Sequence, residues 1–167
     1  MAQREIIQYP DERLHTVAKP VAAFGADIRH LIDDMAETMY AVPGVGLAAT
    51  QVDIHLRVIV IDVSEDQSSL KVFVNPQIVE RRGESDREEG CLSVPGVYAK
   101  VTRSQWIRVR ALGRDGESFE LETEDLLAVC IQHEMDHLEG KVFVEYLSQL
   151  KQNRIKTRMR KLSKQAA

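Results

Sequence analysis

The spacing of apolar residues predicts two helices ahead of the C-terminal segment. Between Ala26 and Tyr40, apolar residues recur every three or four positions, as on one face of an amphipathic helix, and Pro43-Gly44 would end this helix. A second helix is expected from about Glu124 to Leu138, because Thr123 is a residue type that caps helices and Gly140 follows the last apolar position. Each helix has an apolar face, so each should pack against a core.

Short runs rich in β-branched residues predict strands between these helices. Strands are expected at Arg57–Val63 and Leu70–Val74, which a polar turn separates. Gln105–Leu112 and Ser118–Glu122 are expected to form a hairpin, because Gly113–Gly116 supplies turn residues between them. The strands cluster between helices instead of alternating with them, and this pattern indicates an α+β fold.

The length of the chain, 167 residues, favours a single domain that buries its own core. Hydrophobic residues at 44% and charged residues at 29% are ordinary for a globular protein and exclude a wholly disordered one. The longest apolar run, Val58–Ile61, is too short to span a membrane, and Met1–Leu14 lacks the apolar segment of a secretory signal. We therefore expect Cys91 and Cys130 to be free thiols, metal ligands or core residues more readily than a disulfide.

The net charge of −4 divides unequally along the chain. Ser148 to Ala167 contains seven basic residues and no acidic ones, whereas the other 147 residues carry 15 basic and 26 acidic residues, a net charge of −11. A helix expected from about Ser148 to Ser163 has one broad apolar side, formed by Leu147, Leu150, Ile155, Met159 and Leu162. Two interpretations stay open: this helix packs on the domain with its basic face in water, or the basic face binds a polyanion such as a nucleic acid or a membrane surface.

The most informative motif is HEMDH at His133–His137, inside the second expected helix. Two histidines four positions apart lie on the same face of a helix, about 6 Å apart along its axis, so both rings can reach one metal ion. A glutamate directly after the first histidine can then reach a water molecule on that metal. The alternative is a helix that carries two histidines near its surface, so a third ligand has to decide.

Several residues are candidates for that third ligand. The run to Gly140 fits the start of the metzincin pattern, but this pattern requires a histidine where the chain has Phe143. Cys130 shares a helical face with His133 and His137 but lies about 10 Å of helical rise from His137, so we interpret it as an apolar wall residue. The candidates are Cys91, Cys130, Glu139, Glu145, His15, His30 and His55.

Cys91 stands in a segment that predicts a shaped loop or a strand end. Gly90 precedes it, and Pro95-Gly96 follows shortly after. Taken alone, this segment is compatible with a buried free cysteine, with a metal ligand, or with the nucleophile of a cysteine–histidine pair.

A glycine-rich motif at Gly44–Gln51 matches the GxGxxA pattern of dinucleotide-binding loops. Such a loop follows a strand and opens a helix, whereas here a helix comes first and a strand begins by Arg57. The segment is therefore interpreted as tight backbone that lines a cleft and directs the Gln51 amide inward.

Three segments together resemble the motifs of the peptide deformylase family. They are GVGLAATQ at Gly44–Gln51, EGCLS at Glu89–Ser93 and QHEMDHLEG at Gln132–Gly140. Their order and spacing fit the family, and the resemblance covers essentially the whole chain. It implies an α+β fold in which antiparallel β-sheets pack around a central helix carrying HEMDH, with a further helix at the C-terminus.

The resemblance implies a metal site made by Cys91, His133 and His137, with water as the fourth ligand. Family members use Fe²⁺, and Ni²⁺, Co²⁺ or Zn²⁺ can take its place; the ligand types alone do not choose among these ions. The metal would lower the pKa of its water, and Glu134 would take the proton and later deliver it to the departing amine. The resulting hydroxide would attack the formyl group of an N-formylmethionyl peptide and release formate.

The resemblance also implies roles for residues around the reacting group. The side-chain amide of Gln51 and the backbone N–H of Leu92 would stabilise the oxyanion. Gly46 would hydrogen-bond the substrate backbone, and Glu89 would pair with Arg103 to orient the motif loop. The methionine pocket would be formed by Val45, Leu126, Val129, Cys130 and the stem of His133.

Two other classes of protein compete with a deformylase. A zinc endopeptidase of the HExxH type would take its third ligand from downstream of the helix, whereas Cys91 lies upstream. A non-catalytic RNA-binding or scaffold protein with a structural metal would close the site with four protein ligands and leave no open position.

The resemblance finally suggests a partner for the basic C-terminal segment. We expect residues 1–147 to form the catalytic part and residues 148–167 to form a basic helix or tail of the same domain. Because the substrate emerges from the ribosome, ribosomal RNA is favoured over a membrane as the polyanion that this helix binds. The expected protein is a cytoplasmic monomer that acts on N-formylmethionyl nascent peptides and has no membrane attachment.

Overall fold

Two antiparallel β-sheets and three α-helices make up the computed structural model, which describes residues 2–166. The helices are α1 (Ala26–Ala41), α2 (Asp125–Leu138) and α3 (Gln149–Ala166). The strands are β1 (Gly46–Ala48), β2 (Val58–Ile61), β3 (Lys71–Arg82), β4 (Ser85–Cys91), β5 (Val94–Arg103), β6 (Trp106–Leu112) and β7 (Ser118–Glu124). Short 3-10 helices cover Glu12–His15, Ala49–Val52 and Phe143–Tyr146.

The larger sheet has five strands in the order β1-β2-β3-β6-β7. Strand β2 is apolar and buried at every position, which fits a strand whose two faces are both covered. Val58 and Val60 belong to the apolar cluster that contains residues of α1, and Ile59 and Ile61 belong to the cluster that contains residues of α2. Helices α1 and α2 therefore cover opposite faces of this sheet.

Helix α2 lies at the centre of the molecule and carries the HEMDH motif. Its residues Ala128, Ile131 and Leu138 pack against the sheet in a cluster that includes Phe73 and Ile107. Nine of its 14 residues are buried. A helix held in this way presents the polar side chains of the motif from a fixed backbone.

The smaller sheet is the hairpin of β4 and β5, and α3 packs beside it. The third apolar cluster joins the N-terminal segment, β5 and the segment around Phe143, and α3 contributes Met159 to it. Val94 and Val97 of β5 lie in the same cluster. The C-terminal helix thus rests on the side of the molecule that holds this hairpin.

The α+β fold with antiparallel sheets, a central helix and a C-terminal helix is confirmed. Helix α1 ends one residue later than predicted, and α3 covers Gln149–Ala166, where Ser148 to Ser163 was predicted. Thr123 does not cap α2, so that prediction is wrong. Thr123 pairs with Ile107 in the sheet, and Glu124 is the N-cap, without a side-chain hydrogen bond.

The sequence pattern underestimated the strands. The predicted strand Leu70–Val74 is the first part of β3, which continues to Arg82, and neither β1 nor the β4–β5 hairpin was predicted. None of the helices in residues 2–166 is both long enough and apolar enough to cross a membrane.

Candidate metal centre

Three candidate metal ligands from distant parts of the sequence meet beside α2. His133 and His137 lie one turn apart on the helix, and both are buried. Cys91 is the last residue of β4, where it pairs with Val94 across a two-residue turn. The hairpin turn therefore presents the cysteine to the helix, and the sequence expectation that Cys91 lies in a shaped strand end is confirmed.

The donor atoms of these residues fit one metal ion. The ligand atoms of Cys91, His133 and His137 all lie within 4.8 Å of one another. The Cys91 Sγ atom is 3.4 Å from Nε2 of His137. Tetrahedral bonds of ordinary length would separate a sulfur and a nitrogen ligand by about 3.5 Å. A thiolate with two imidazoles is also a donor set that transition metals bind well.

A buried ion pair holds the ring of His133. Oε1 of Glu89 is 2.9 Å from Nδ1 of His133, and the Arg103 guanidinium bonds both oxygens of Glu89 at 2.9 Å. Because Glu89 is an acceptor, Nδ1 of His133 donates its proton to Glu89, and Nε2 is the ring atom left to face a metal. The predicted pairing of Glu89 with Arg103 is present in the structure, and Glu89 also orients His133 directly.

The two histidines differ in their electrostatic surroundings. Burial opposes a charge on His133, but Glu134, Cys91 and Glu89 outweigh it and raise the pKa of His133. Burial and the nearby positive charges of His133 and Arg103 lower the pKa of His137. His137 is thereby held neutral, which is the form that binds a metal.

Glu134 is a buried carboxyl group next to the candidate ligands. Burial raises the pKa of Glu134 to about 7, and the charge of Glu89 contributes in the same direction. Its Oε1 atom is buried and has no hydrogen-bond partner among residues 2–166. Its other oxygen lies against Gly46, where an added Cβ would be 2.5 Å from Oε2. A carboxyl group of this kind can accept and release a proton near neutral pH.

Gln51 is fixed by hydrogen bonds at both ends of its amide. Its Oε1 accepts from the backbone N–H of Ala48 at 2.9 Å, and its Nε2 donates to Ser93 Oγ at 3.0 Å. The same Nε2 lies 3.5 Å from Cys91 Sγ. The amide N–H₂ group is thereby directed to the candidate metal site, as the sequence suggested.

A cavity of about 770 Å³ opens onto this site. Seven of the predicted site residues line it, namely Val45, Gly46, Gln51, Cys91, Leu92, His133 and Glu134. Leu126, Val129 and Cys130 of the predicted methionine pocket are not among the lining residues. Leu126 is exposed, whereas Val129 and Cys130 are buried, and burial raises the pKa of the Cys130 thiol to about 12. Cys130 is a free core cysteine beside the site, and Cys91 and Cys130 form no disulfide.

Some residues of the site had no role in the sequence analysis. The backbone of the N-terminal segment joins two motifs, because Ile7 donates to Gln51 O at 2.7 Å and Tyr9 donates to Ser93 O at 2.8 Å. Asp136 accepts a hydrogen bond from Arg103, and Tyr146 donates one to Asp136. The Asp136 contact could have been suspected from its place inside HEMDH, but nothing in the sequence pattern points to Tyr146.

The fold and this site together define a metal-dependent hydrolase built on an HExxH helix. The family model described as "Polypeptide deformylase" matches residues 3–153. A "Peptide deformylase" of Chromobacterium violaceum is 61% identical over 165 residues, which are 99% of each chain. A "Peptide deformylase 1" of Ralstonia nicotianae is 65% identical over 96% of each chain. The chain belongs to the peptide deformylase family, whose members remove the N-formyl group from new polypeptides in a metal-dependent reaction.

Solved structures of the same family have the same fold. A peptide deformylase from Legionella pneumophila superposes with a TM-score of 0.94 at 48% identity and covers 99% of this chain and 98% of its own. The peptide deformylase from Ehrlichia chaffeensis in complex with actinonin superposes with a TM-score of 0.93 at 38% identity, covering 96% of this chain and 98% of its own. The protein is thus an enzyme, a metal-dependent hydrolase of N-formylated peptides.

Proposed function

We propose that Cys91, His133 and His137 hold the catalytic metal of this deformylase and that Glu134 carries the proton. The observation that supports this assignment is the convergence of three ligand atoms within 4.8 Å beside a buried carboxyl group that lacks a partner among residues 2–166. When bound, the metal supplies Lewis-acid chemistry: it polarises a carbonyl group and lowers the pKa of water. All other steps belong to side chains and backbone of this chain.

Glu134 is the general base and then the general acid in this proposal. Its carboxyl group accepts a proton when water attacks the formyl carbon, and it delivers this proton to the amine of the departing peptide. Its pKa of about 7, raised mainly by burial, suits both transfers at neutral pH. Gly46, which has no Cβ, leaves room for the carboxyl group, and both residues line the cavity.

Gln51 and Leu92 stabilise the oxyanion of the tetrahedral intermediate. The Gln51 amide is oriented by Ala48 and Ser93, and the second N–H of its Nε2, which lies 3.5 Å from Cys91 Sγ, is the proposed donor to the oxyanion. Leu92 directly follows the candidate ligand Cys91 in the hairpin turn, which supports a role for its backbone N–H at the same position.

The formylated methionine enters the cavity beside α2. Val45, Gly46 and the stem of His133 line the cavity and support the proposed contacts with the substrate side chain and backbone. Leu126, Val129 and Cys130 of α2 lie outside the cavity lining, and the proposed methionine pocket extends to them beyond His133, which Cys130 precedes by one helical turn.

The first test is formate release from an N-formylmethionyl peptide by anaerobically prepared protein. Glu134→Gln should bind metal like the unmodified protein but lose turnover by about 100- to 10,000-fold, the usual contribution of a general acid–base group. Cys91→Ala should lose the metal itself. Glu139→Gln, at the end of the same helix, serves as the matched control and should keep both properties. Normal metal content in Cys91→Ala would contradict the ligand assignment.

The proposed native metal is Fe²⁺, one ion per chain. A thiolate and two imidazoles accept Fe²⁺, Ni²⁺, Co²⁺ and Zn²⁺, so metal analysis of protein purified without oxygen has to identify the ion. We expect iron under those conditions and loss of activity on exposure to air. Stoichiometric zinc with full, air-stable activity would contradict the assignment.

The basic face of α3 is proposed to bind ribosomal RNA near the emerging nascent chain. Exposed residues that support this surface are Lys151, Arg154, Arg158, Arg160, Lys161 and Lys164. The substrate places the reaction in the cytoplasm, and one chain supplies the whole candidate site, so we propose a monomer.

Substituting Arg160, Lys161 and Lys164 by Gln tests this surface without removing α3. The triple variant should bind ribosomes more weakly, and the slope of the salt dependence should fall by about one for each basic side chain that no longer neutralises a phosphate. Activity on a free formyl peptide should not change. Lys100→Gln on β5 is the matched control, and an unchanged ribosome affinity of the triple variant would exclude this surface.

A further inference from the structure

A chain of polar contacts runs from the candidate ligand His133 through the buried residues Glu89 and Arg103 to Asp136 and Tyr146. Nδ1 of His133 hydrogen-bonds Oε1 of Glu89, and the two oxygens of Glu89 accept hydrogen bonds from Nε and Nη2 of Arg103. The third donor of this guanidinium, Nη1, bonds Oδ2 of Asp136 at 2.6 Å. The hydroxyl group of Tyr146 donates to the same Oδ2 atom at 2.8 Å.

Asp136 satisfies the part of Arg103 that Glu89 does not reach. The Arg103 side chain is only 5% exposed, so a donor left without a partner there would be costly. With Nη1 held by Asp136, the guanidinium keeps the orientation in which its other two donors bond both oxygens of Glu89. Glu89 in turn keeps one oxygen directed at His133.

Tyr146 closes the outer end of this chain of contacts. Its ring lies 5.2 Å from the guanidinium carbon of Arg103, close enough for a cation–π contact. Its hydroxyl group bonds Asp136, so the Tyr146 side chain contacts both Arg103 and Asp136. Arg103, Asp136 and Tyr146 line a second cavity, of about 650 Å³, on a different face of α2 from the substrate cavity.

The two histidines of the site are supported unequally. Nδ1 of His133 is hydrogen-bonded to the Glu89 carboxylate, whereas Nδ1 of His137 is buried without a hydrogen-bond partner among residues 2–166. Outer hydrogen-bond partners of a ligating histidine fix its tautomer and ring orientation. A substitution at Asp136 or Tyr146 should therefore change the ring orientation of His133 and leave that of His137 unchanged.

We propose that Asp136 and Tyr146 are positioning residues for the metal ligand His133, acting through Arg103 and Glu89. This inference rests on the proposed ligand set and adds the residues that orient it. It also explains why an aspartate stands between the two histidines of HEMDH although its side chain does not enter the substrate cavity.

The test measures zinc affinity by competition with a chelator. Asp136→Asn should weaken zinc binding about 10-fold, the lower end of the loss when a direct partner of a metal ligand is removed, because Asp136 acts through Arg103 and Glu89. Tyr146→Phe keeps the ring on Arg103 and should weaken zinc binding about 3- to 10-fold, as for one hydrogen bond. Because Tyr146 acts through Asp136, the double variant should bind zinc no more weakly than Asp136→Asn alone.

A spectroscopic signal separates positioning from simple loss of stability. In zinc-loaded protein with isotope-labelled histidine, the Nδ1–H proton of His133 should be slow to exchange and shifted to low field by Glu89. In Asp136→Asn this proton should exchange faster and move, while the signals of His137 stay in place. Tyr146→Phe provides a second reading if Asp136→Asn folds poorly, because the Tyr146 ring is half exposed and is retained.

Two matched controls remove equivalent contacts elsewhere. Asp33→Asn removes the carboxylate partner of Arg114, and Tyr40→Phe removes a hydroxyl group that donates to Asp62 at 2.6 Å. Both should bind zinc like the unmodified protein. If Asp136→Asn and Tyr146→Phe also bind zinc normally and leave the His133 signal unchanged, the inference is wrong. If Cys91→Ala binds zinc normally, the ligand set itself fails, which is a separate result.

Discussion

At the scale of single residues, Gly46 leaves the space that the Glu134 carboxyl group occupies. A Cβ atom at position 46 would lie 2.5 Å from Oε2 and 3.1 Å from Cδ of Glu134. Contacts this short force a displacement, and the side chain of Glu134 is the more mobile partner because Gly46 is paired with Ile61 in the sheet. The absence of a side chain here thus sets where the proposed proton carrier lies.

Gly46→Ala should therefore reduce catalysis without unfolding the protein. Displacing the carboxyl group by about 1 Å is expected to lower kcat/KM about 100-fold, since the reacting groups lose their alignment. Metal content should stay normal, because the added methyl group meets Glu134 and not the candidate ligands. Steady-state kinetics on a formyl peptide check the prediction.

The matched control for this change is Gly25→Ala. An added Cβ at Gly25 has nothing within 4 Å, so its kinetics should equal those of the unmodified protein. Full activity in Gly46→Ala would mean that Glu134 has another acceptable position.

At the scale of elements, the site depends on one predicted helix and one hairpin that was not predicted. The period of apolar residues identified α2, and HEMDH is local to it, so His133, Glu134 and His137 could be placed from the sequence. Strand β4 reads Ser-Asp-Arg-Glu-Glu-Gly-Cys and has no apolar alternation. Its pairing with β5 positions Cys91, and that pairing depends on tertiary contacts.

The residues alone accordingly left three interpretations of Cys91 open. A free thiol, a metal ligand and a nucleophile share the same local pattern, and the approach of the hairpin turn to α2 supports the proposed role as a metal ligand. Asp136 had no predicted role for a related reason, because its partner Arg103 lies at the end of β5. Contacts between elements carry the part of the site that periodicity does not describe.

Helix α3 is held to the body by few side chains. Met159 is 3% exposed and belongs to the cluster that contains Val94 and Val97 of β5, whereas Leu150 on the same helix is 61% exposed. Of the two sequence interpretations of this helix, packing on the domain has direct support in Met159. The basic residues around it remain available for the proposed ribosome contact.

Met159→Ala should lower the free energy of unfolding by about 2–5 kcal/mol, the usual range for emptying a buried position of this size. Leu150→Ala, the control on the same helix, should change it by less than about 0.5 kcal/mol. Urea denaturation of the two variants measures both values. Equal, small effects would mean that residues 148–167 form an appendage and not part of the domain.

At the scale of the whole molecule, several carboxylates are stabilised in their charged form by specific partners. The Arg114 guanidinium lowers the pKa of Asp33, and a backbone N–H with the Arg4 side chain lowers the pKa of Asp34. These pairs join α1 to other parts of the chain, namely the N-terminal segment and the turn between β6 and β7. The acidic body is therefore stabilised by ionised groups that acid would discharge.

Asp62 is the most strongly affected of these carboxylates that are distant from the metal site. Burial opposes its charge, but hydrogen bonds from Ser64, Tyr40 and Ser69 outweigh burial and lower the pKa of Asp62 to about 2. It lies directly after β2, and its own backbone N–H bonds Val45 O at 2.8 Å. The loop that follows β2 is thus built around one carboxylate.

The stability of the protein should consequently fall as the pH drops from about 4 to about 2. An unfolded aspartate has a pKa of about 3.9, so in this interval the unfolded chain binds more protons than the folded one, and lower pH favours unfolding. Asp62→Asn should lower the free energy of unfolding by about 1–3 kcal/mol at neutral pH, because charged hydrogen bonds are removed. It should also flatten the pH dependence, since the variant has no proton to bind at this position.

Denaturation midpoints across this pH range test both effects, with Glu65→Gln in the same loop as the control. If the free energy of unfolding of Asp62→Asn depends on pH as steeply as that of the unmodified protein, the other carboxylates and not Asp62 cause the acid sensitivity.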